Sequence, residues 1–324
     1  MNIVIVSKAL VVGEYQRKLE AMAAHEDVNL ICVVPPSWKT EGSELHLEAA
    51  HTRGYRLSVQ PIRFNGNFHL FHFPTLGRLF RVLRPDLVHV DEEPYNLATF
   101  LAVRDARKAG AKTLFFTWQN LVRKYPPPFS MMETWLYGAT DAAIAGTHEA
   151  AEVLREKGYR GRLEVIPQFG VDEHRFYPGA PLSSPPWTIG FVGRLVEQKG
   201  LITLVEAASR LDLDWRIELI GSGPFRGEIE ARAKALGVME RLVFREQVPS
   251  TEIPEALRRF HVLVLPSLTR PFWKEQFGRA LVEAMSSGVP VIGSDSGEIP
   301  RVIGDAGFVT PEGDVAALGS ALQT

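Results

Sequence analysis

A single cysteine, Cys32, stands in a chain of 324 residues. No internal disulfide can form, and a reducing compartment, the cytoplasm, is expected. Long apolar runs are missing too: none approaches the ~20 residues that cross a bilayer. The opening stretch MNIVIVSKAL has a strand-like apolar run with no basic segment ahead of it, so no secretory signal is expected. Charge is nearly balanced at a net −2, which gives nucleic acid no electrostatic footing as a partner. There is no G-x-S-x-G elbow and no plausible Ser-His-Asp set, so hydrolase chemistry has no support. His69 and His72 of HLFH have no further Cys or His at ligand spacing, and a packed aromatic loop is expected there. Asp212 and Asp214 of LDLD form a D-x-D only formally. They sit where a helix passes into the strand WRIELIG, on its approach rather than at its carboxyl end, so no metal site and no cofactor is assigned.

What remains is an ordinary globular composition, 45% apolar and 23% charged, at a length comfortable for two domains. Short apolar runs alternate with longer amphipathic segments, the pattern of strands covered on both faces by crossover helices. NIVIV, NLICVV, LVHV, KTLFFT and AAIAG are the strands of a first half; WTIGFVG, WRIELIG, LVFRE, VLVLP and PVIGS are those of a second. Pro178, Gly179, Pro181, Pro185 and Pro186 leave little room for helix or central strand. The pattern therefore predicts an α/β chain of two doubly wound, Rossmann-like domains, 1–170 and 188–324, joined by a linker over 171–187. In such folds ligands sit at the carboxyl ends of the strands, and the cleft between the domains is the expected site.

Charge is uneven along the chain. Leu30 to Lys124 carries 13 Lys and Arg against 8 Asp and Glu, whereas residues 181–324 carry 15 against 18. The basic bias favours an anionic acceptor or a membrane surface, unless it is simply a solvated mixed surface. Arg78, Arg81 and Arg84 of LGRLFRVLRPD, beside Leu76, Phe80 and Leu83, fit a basic amphipathic helix at a membrane and equally an ordinary helix on a sheet.

Three stretches of the second half carry chemistry. In GFVGRLVEQKG, Gly193 ends a strand and lets a ligand approach the backbone, while Arg194 and Lys199 can neutralise a phosphate pair. IGSGP, with Gly221 and Gly223, is a second glycine-rich strand end, without the third glycine of a dinucleotide fingerprint. In KEQFGRALVEAM, the N–H groups of Phe277, Gly278 and Arg279 lead into a helix and form an anion site. A carboxylate beside a phosphate site has to bind something else. Glu275, before the turn, fits hydroxyls or a partial positive charge, and Glu283, about two turns on, fits a ribose diol. A ligand with phosphates flanked by two polyols, a nucleotide sugar, satisfies the pattern.

GRLVEQKG, GSGP and EQFGRALVEAMSSGVPVIGSDSGEIPRVIGDAG resemble the signature of the retaining family-4 glycosyltransferases of the two-Rossmann-domain (GT-B) type, over roughly residues 165–310. The resemblance implies a catalytic trio in which Arg194 and Lys199 hold the donor diphosphate and Glu275 lies near the donor sugar. Glu283 then falls on the ribose and Gly193 at the close approach. It also implies retention without a mandatory metal, the donor phosphate helping the acceptor to deprotonate, and an acceptor (glycan, lipid-linked or small molecule) held mainly by the first domain. Two departures are visible there. Only Gly13 stands where relatives carry a glycine-rich loop, and Thr117, Trp118 and Gln119 occupy the place of a histidine. A silent nucleotide-sugar binding module and a GT-B-type epimerase therefore stay open as alternatives. Relatives also continue past the position of Thr324 through helices that cross back to the first domain, so a second domain without them and a mobile cleft are expected.

Overall fold

The computed structural model describes residues 1–40, 43–168, 170–180, 182–246, 248–249 and 251–324. Pro181, one of the linker prolines, lies outside the described residues. The chain divides into two compact units, Met1–Pro167 and Gln168–Thr324.

The first unit contains strands β1 (Asn2–Val6), β2 (Asn29–Val34), β3 (Ser37–Thr40), β4 (Ser43–His46), β5 (Arg56–Val59), β6 (Leu87–Val90), β7 (Lys112–Thr117), β8 (Ala142–Ala145) and β9 (Arg162–Val165). Its helices are α1 (Arg17–Ala23), α2 (Leu76–Leu83), α3 (Leu97–Lys108), α4 (Phe129–Ala139) and α5 (His148–Glu156). Seven strands form one parallel sheet in the order β5-β2-β1-β6-β7-β8-β9, and β3 and β4 make a separate antiparallel hairpin. The central strands are mostly apolar because both faces are covered. Val4 and Val6 of β1 join the core that holds Val88, Val90 and Phe115, whereas Ile3 and Ile5 join the one that holds Leu30 and Cys32.

The second unit repeats the design with β10 (Trp187–Val192), β11 (Trp215–Ile220), β12 (Leu242–Arg245), β13 (Val262–Leu265), β14 (Val291–Ser294) and β15 (Gly307–Thr310). Its helices are α6 (Leu201–Ala208), α7 (Arg226–Ala235), α8 (Ile253–Leu257), α9 (Arg279–Ser286), α10 (Ile299–Ile303) and α11 (Val315–Gln323). All six strands run parallel in the order β12-β11-β10-β13-β14-β15. Phe176, within the proline-rich segment, is buried in this unit's core, and Ser286 Oγ donates to its carbonyl at 2.7 Å.

Each sheet grows outward from its first strand and then reverses, so β1 lies beside β6 and β10 beside β13. The loops leaving such a pair part to opposite faces and open a crevice at the strands' carboxyl ends. Each unit therefore has one predictable place for a ligand. Among the described residues no helix is long and apolar enough to cross a membrane.

Candidate functional site

In the second unit the switch point is built by the loop after β10, the end of β13 and the turn into α9. Lys199 closes a short 3-10 turn after β10, and its Nζ donates to Glu275 Oε2 at 2.5 Å. Ser267 Oγ, just past β13, donates to the same oxygen at 2.7 Å, and its own carbonyl accepts from Ser294 Oγ at 2.5 Å. Glu275 is 7% exposed, and the Trp273 ring lies 5.2 Å from the ammonium. The turn after β14 closes over the glutamate's backbone: a Cβ on Gly297 would fall 2.0 Å from the Glu275 carbonyl oxygen. Lys199 and Glu275, assigned from sequence to different parts of a donor, thus form one ion pair.

Arg194 lies on the same loop as Lys199, two residues past the end of β10. Its side chain is exposed and has no hydrogen-bond or ion-pair partner among the described residues. A cation that the protein leaves unneutralised next to a neutralised one is a place for an anion.

Gly221 and Gly223 shape that loop from behind. A Cβ on Gly221 would lie 2.0 Å from the Gly193 oxygen, and one on Gly223 2.2 Å from the Leu195 oxygen. The segment 193–195 therefore lies backbone on backbone against 221–223, tied by Leu195 N–H to Ser222 O at 2.9 Å and Phe225 N–H to Leu195 O at 3.0 Å. Both glycines admit the segment that carries Arg194.

Phe277 is half-buried and Arg279 exposed at the start of α9, and Gly278, at φ +76°, begins the helix without a side chain to cap it. No cap side chain accepts from the first-turn N–H groups, though the Gly278 carbonyl accepts from Leu281 N–H at 2.8 Å. Glu283 is buried on α9 and accepts from Arg279 Nε at 2.7 Å. Burial raises its carboxyl above the ordinary range, with Arg279 opposing. LDLD precedes β11, at the end of the sheet opposite to Arg194, and Asp214 uses its carbonyl to accept from Trp187 N–H at 2.7 Å.

In the first unit the crevice between β1 and β6 is lined by charges absent from the sequence assignment. Lys8 pairs with Glu92 and lies 4.7 Å from the Phe68 ring; Lys18 pairs with Asp91 at 3.1 Å. Glu93 accepts from Thr117 Oγ at 2.6 Å and from Trp118 N–H at 2.8 Å. Burial pushes its carboxyl up to about 7, against the lowering effect of those two bonds and of Lys8. The Trp118 ring lies on Gly146, where a Cβ would come within 2.5 Å of it. Gln119 is held from behind: Lys157 Nζ donates to its Oε1 at 3.1 Å and to Glu133 Oε1 at 2.5 Å. Gly13 sits in a 3-10 turn after β1 with its N–H donated to Glu48 Oε2 at 2.8 Å. His69 packs among Phe68, Tyr95, Tyr125 and Phe129, as expected of an aromatic loop. The signal that would have found Glu93 is DEE at the end of the apolar run LVHV, at the reversal point of a doubly wound sheet.

The model for "Glycosyltransferase Family 4" matches residues 19–175, and that for "Glycosyl transferases group 1" matches residues 176–324. The chain belongs to the family-4 glycosyltransferases. This glycosyltransferase-family chain is similar to 2-deoxystreptamine N-acetyl-D-glucosaminyltransferase of Streptomyces fradiae, 26% identical over 74% of the chain and 62% of the relative. It is similar also to 2-deoxystreptamine glucosyltransferase of Streptomyces kanamyceticus, 33% identical over 61% of the chain and 54% of the relative. The chain thus spans less than two thirds of the length of either. Among solved structures, Anabaena HepE in complex with UDP superposes with a TM-score of 0.73 at 16% identity, covering 100% of this chain and 89% of that one. The fold is GT-B.

Proposed function

We propose that the chain is a retaining glycosyltransferase that moves a sugar from a nucleoside-diphosphate sugar, held by the second unit, to an acceptor held by the first. The observation that carries this reading is the Lys199–Glu275 pair past the carboxyl ends of β10 and β13, with Arg194 on the loop after β10 lacking an ion-pair partner among the described residues. Arg194, Lys199 and the uncapped start of α9 take the diphosphate, whose charge grows as the anomeric C–O bond breaks. Glu275 lies on the sugar side of the turn and Glu283 accepts from the ribose hydroxyls. The acceptor oxygen forms the new bond to the anomeric carbon, and its proton leaves on the departing diphosphate. Relatives named for 2-deoxystreptamine support a polyhydroxylated ring as acceptor. No step draws on a metal, and full activity in EDTA is expected.

The reading includes a cytoplasmic location and peripheral contact with a membrane through α2. Arg78, Arg81 and Arg84 are exposed along that helix and Val82 is 75% exposed, while Leu76 and Phe80 are buried in the core. A thermal-shift screen of UDP-, GDP-, ADP- and dTDP-sugars, followed by assay of released nucleoside diphosphate, tests the function. Stabilisation with slow release supports transfer; stabilisation without release, with or without acceptor, reduces the chain to a binding module. Conversion of the sugar without release makes it an epimerase.

A further inference from the structure

Three carboxylates follow β6, and two are neutralised: Asp91 by Lys18 and Glu92 by Lys8. The third, Glu93, has no ion-pair partner among the described residues. Its two oxygens each accept one hydrogen bond, from Thr117 Oγ and from Trp118 N–H, and a carboxylate has about four acceptor positions. The residue as a whole is half-buried. Beside it stands an aromatic wall, Tyr95 stacked on Tyr125 with ring centroids 4.3 Å apart. A second observation points the same way. Asn96, which donates its backbone N–H to the Glu93 carbonyl at 3.2 Å, is fully buried at the start of α3 and leaves both amide atoms of its side chain without a partner. Buried amides are nearly always satisfied, so this side chain calls for a polar partner.

We propose that Glu93 is an acceptor-binding residue: its carboxylate takes hydrogen bonds from hydroxyl or ammonium groups of the molecule that receives the sugar. The inference rests on the proposed transferase function. It gives the first unit a polar group where Thr117, Trp118 and Gln119 replace a histidine, and it assigns Thr117 and Trp118 to holding that group. Glu93 orients the acceptor and does not take its proton, which leaves with the diphosphate.

The ionised form is the better acceptor of hydrogen bonds, and the carboxyl titrates at about 7. Lys8 and Glu92 face it from the ends of β1 and β6, and Tyr95, Tyr125 and Tyr137, all raised by burial, stay neutral around it. Acceptor binding should therefore strengthen as pH climbs through neutrality.

The test uses the nucleotide sugar selected by the donor screen, with 2-deoxystreptamine and myo-inositol as probes, between pH 5.5 and 9. Both rings carry hydroxyls and only the first carries amines. In the wild type, kcat/KM for the acceptor should rise through about pH 7 and level off. Glu93→Gln keeps the shape, and its amide can accept from Trp118 N–H while donating to the Thr117 hydroxyl. It should lose roughly tenfold to a hundredfold in kcat/KM at high pH, little at pH 5.5, and leave donor KM unchanged. Thr117→Val, which removes a bond that lowers the carboxyl's pKa, should move the rise to higher pH. Loss with both rings assigns the contact to hydroxyls; loss with 2-deoxystreptamine alone assigns it to an ammonium. An equal loss at every pH, a matching loss of donor affinity, or a wild type that binds donor and transfers to neither ring overturns the proposal. A wild type that binds no nucleotide sugar overturns the transferase function itself.

Discussion

Lys199→Met removes a cation from beside a carboxylate that is almost wholly inside the protein. Breaking a buried pair by deleting one partner costs ~3–5 kcal/mol, because the remaining charge stays desolvated. Here Lys199 keeps 16% and Glu275 10% of its side-chain surface, and Ser267 still donates to the carboxylate, so ~2–3 kcal/mol is expected. For a unit of this size that lowers the thermal midpoint by roughly 5–10 °C. Glu275→Gln in the same background removes the stranded charge, and the double-mutant cycle should return a coupling of about 1.5–3 kcal/mol. Binding separates the two residues. Lys199→Met should weaken UDP roughly tenfold to a hundredfold, the scale of a charge-assisted hydrogen bond. Glu275→Gln should tighten it, because no carboxylate then competes with the phosphate for the lysine. The same substitution should cut kcat far more than it changes donor KM if Glu275 has its proposed place beside the charge that develops at the anomeric carbon. Denaturant unfolding gives the cycle and calorimetric titration gives the affinities. A coupling below about 0.5 kcal/mol, or UDP affinity unchanged in Lys199→Met, would refute the reasoning.

Arg194→Ala should leave stability within about 0.5 kcal/mol, since the guanidinium holds nothing in the protein, yet weaken UDP roughly tenfold or more; a large stability loss would reveal an internal role. Gly221→Ala drives a Cβ to 2.0 Å from the Gly193 oxygen at φ +138°, so several kcal/mol of stability and UDP binding should fall together, read by unfolding and by titration. Glu93, raised from an ordinary value of 4.5 to about 7, binds its proton more readily folded than unfolded. Its stabilising contribution is complete below about pH 4.5 and is lost as pH rises through 7. Glu93→Gln should therefore narrow the stability drop between pH 5 and 8.5 by on the order of 2 kcal/mol, and an unchanged pH profile would contradict the burial argument.

Buried strands announce themselves in the linear chain. NIVIV, NLICVV and VLVL are apolar at all but the leading asparagines of the first two, because a strand covered on both faces has no polar side to display, and each appears where the pattern puts it, as does WRIELI despite its Arg216 and Glu218. β5, β9 and β15 escape the same logic. They are the edge strands or lie half in water, RLSV, RLEV and GFVT carry mixed residues, and short mixed tetrapeptides look like loop. The glutamate spacing, the cations after β10 and the glycines after β11 were equally legible, because a phosphate turn needs those residue types in that order. What pairs with what was not. Lys199 and Glu275 are separated by 76 positions, and nothing in either segment says that an ammonium meets a carboxylate, or that Arg194 is left without one. Gly221 and Gly223 read as ligand approaches, and only the crossing of two loops shows that they make room for residues 193–195. Glu93 has only the DEE after LVHV to mark it: its interest comes from a burial and from two donors, Thr117 at the end of β7 and Trp118 just past it, and both exist only once β6 and β7 lie side by side. Local pattern follows from the backbone's periodicity and from solvent, whereas charge pairing and desolvation depend on which distant segments the packed sheet brings within 3 Å, a relation the sequence does not write down.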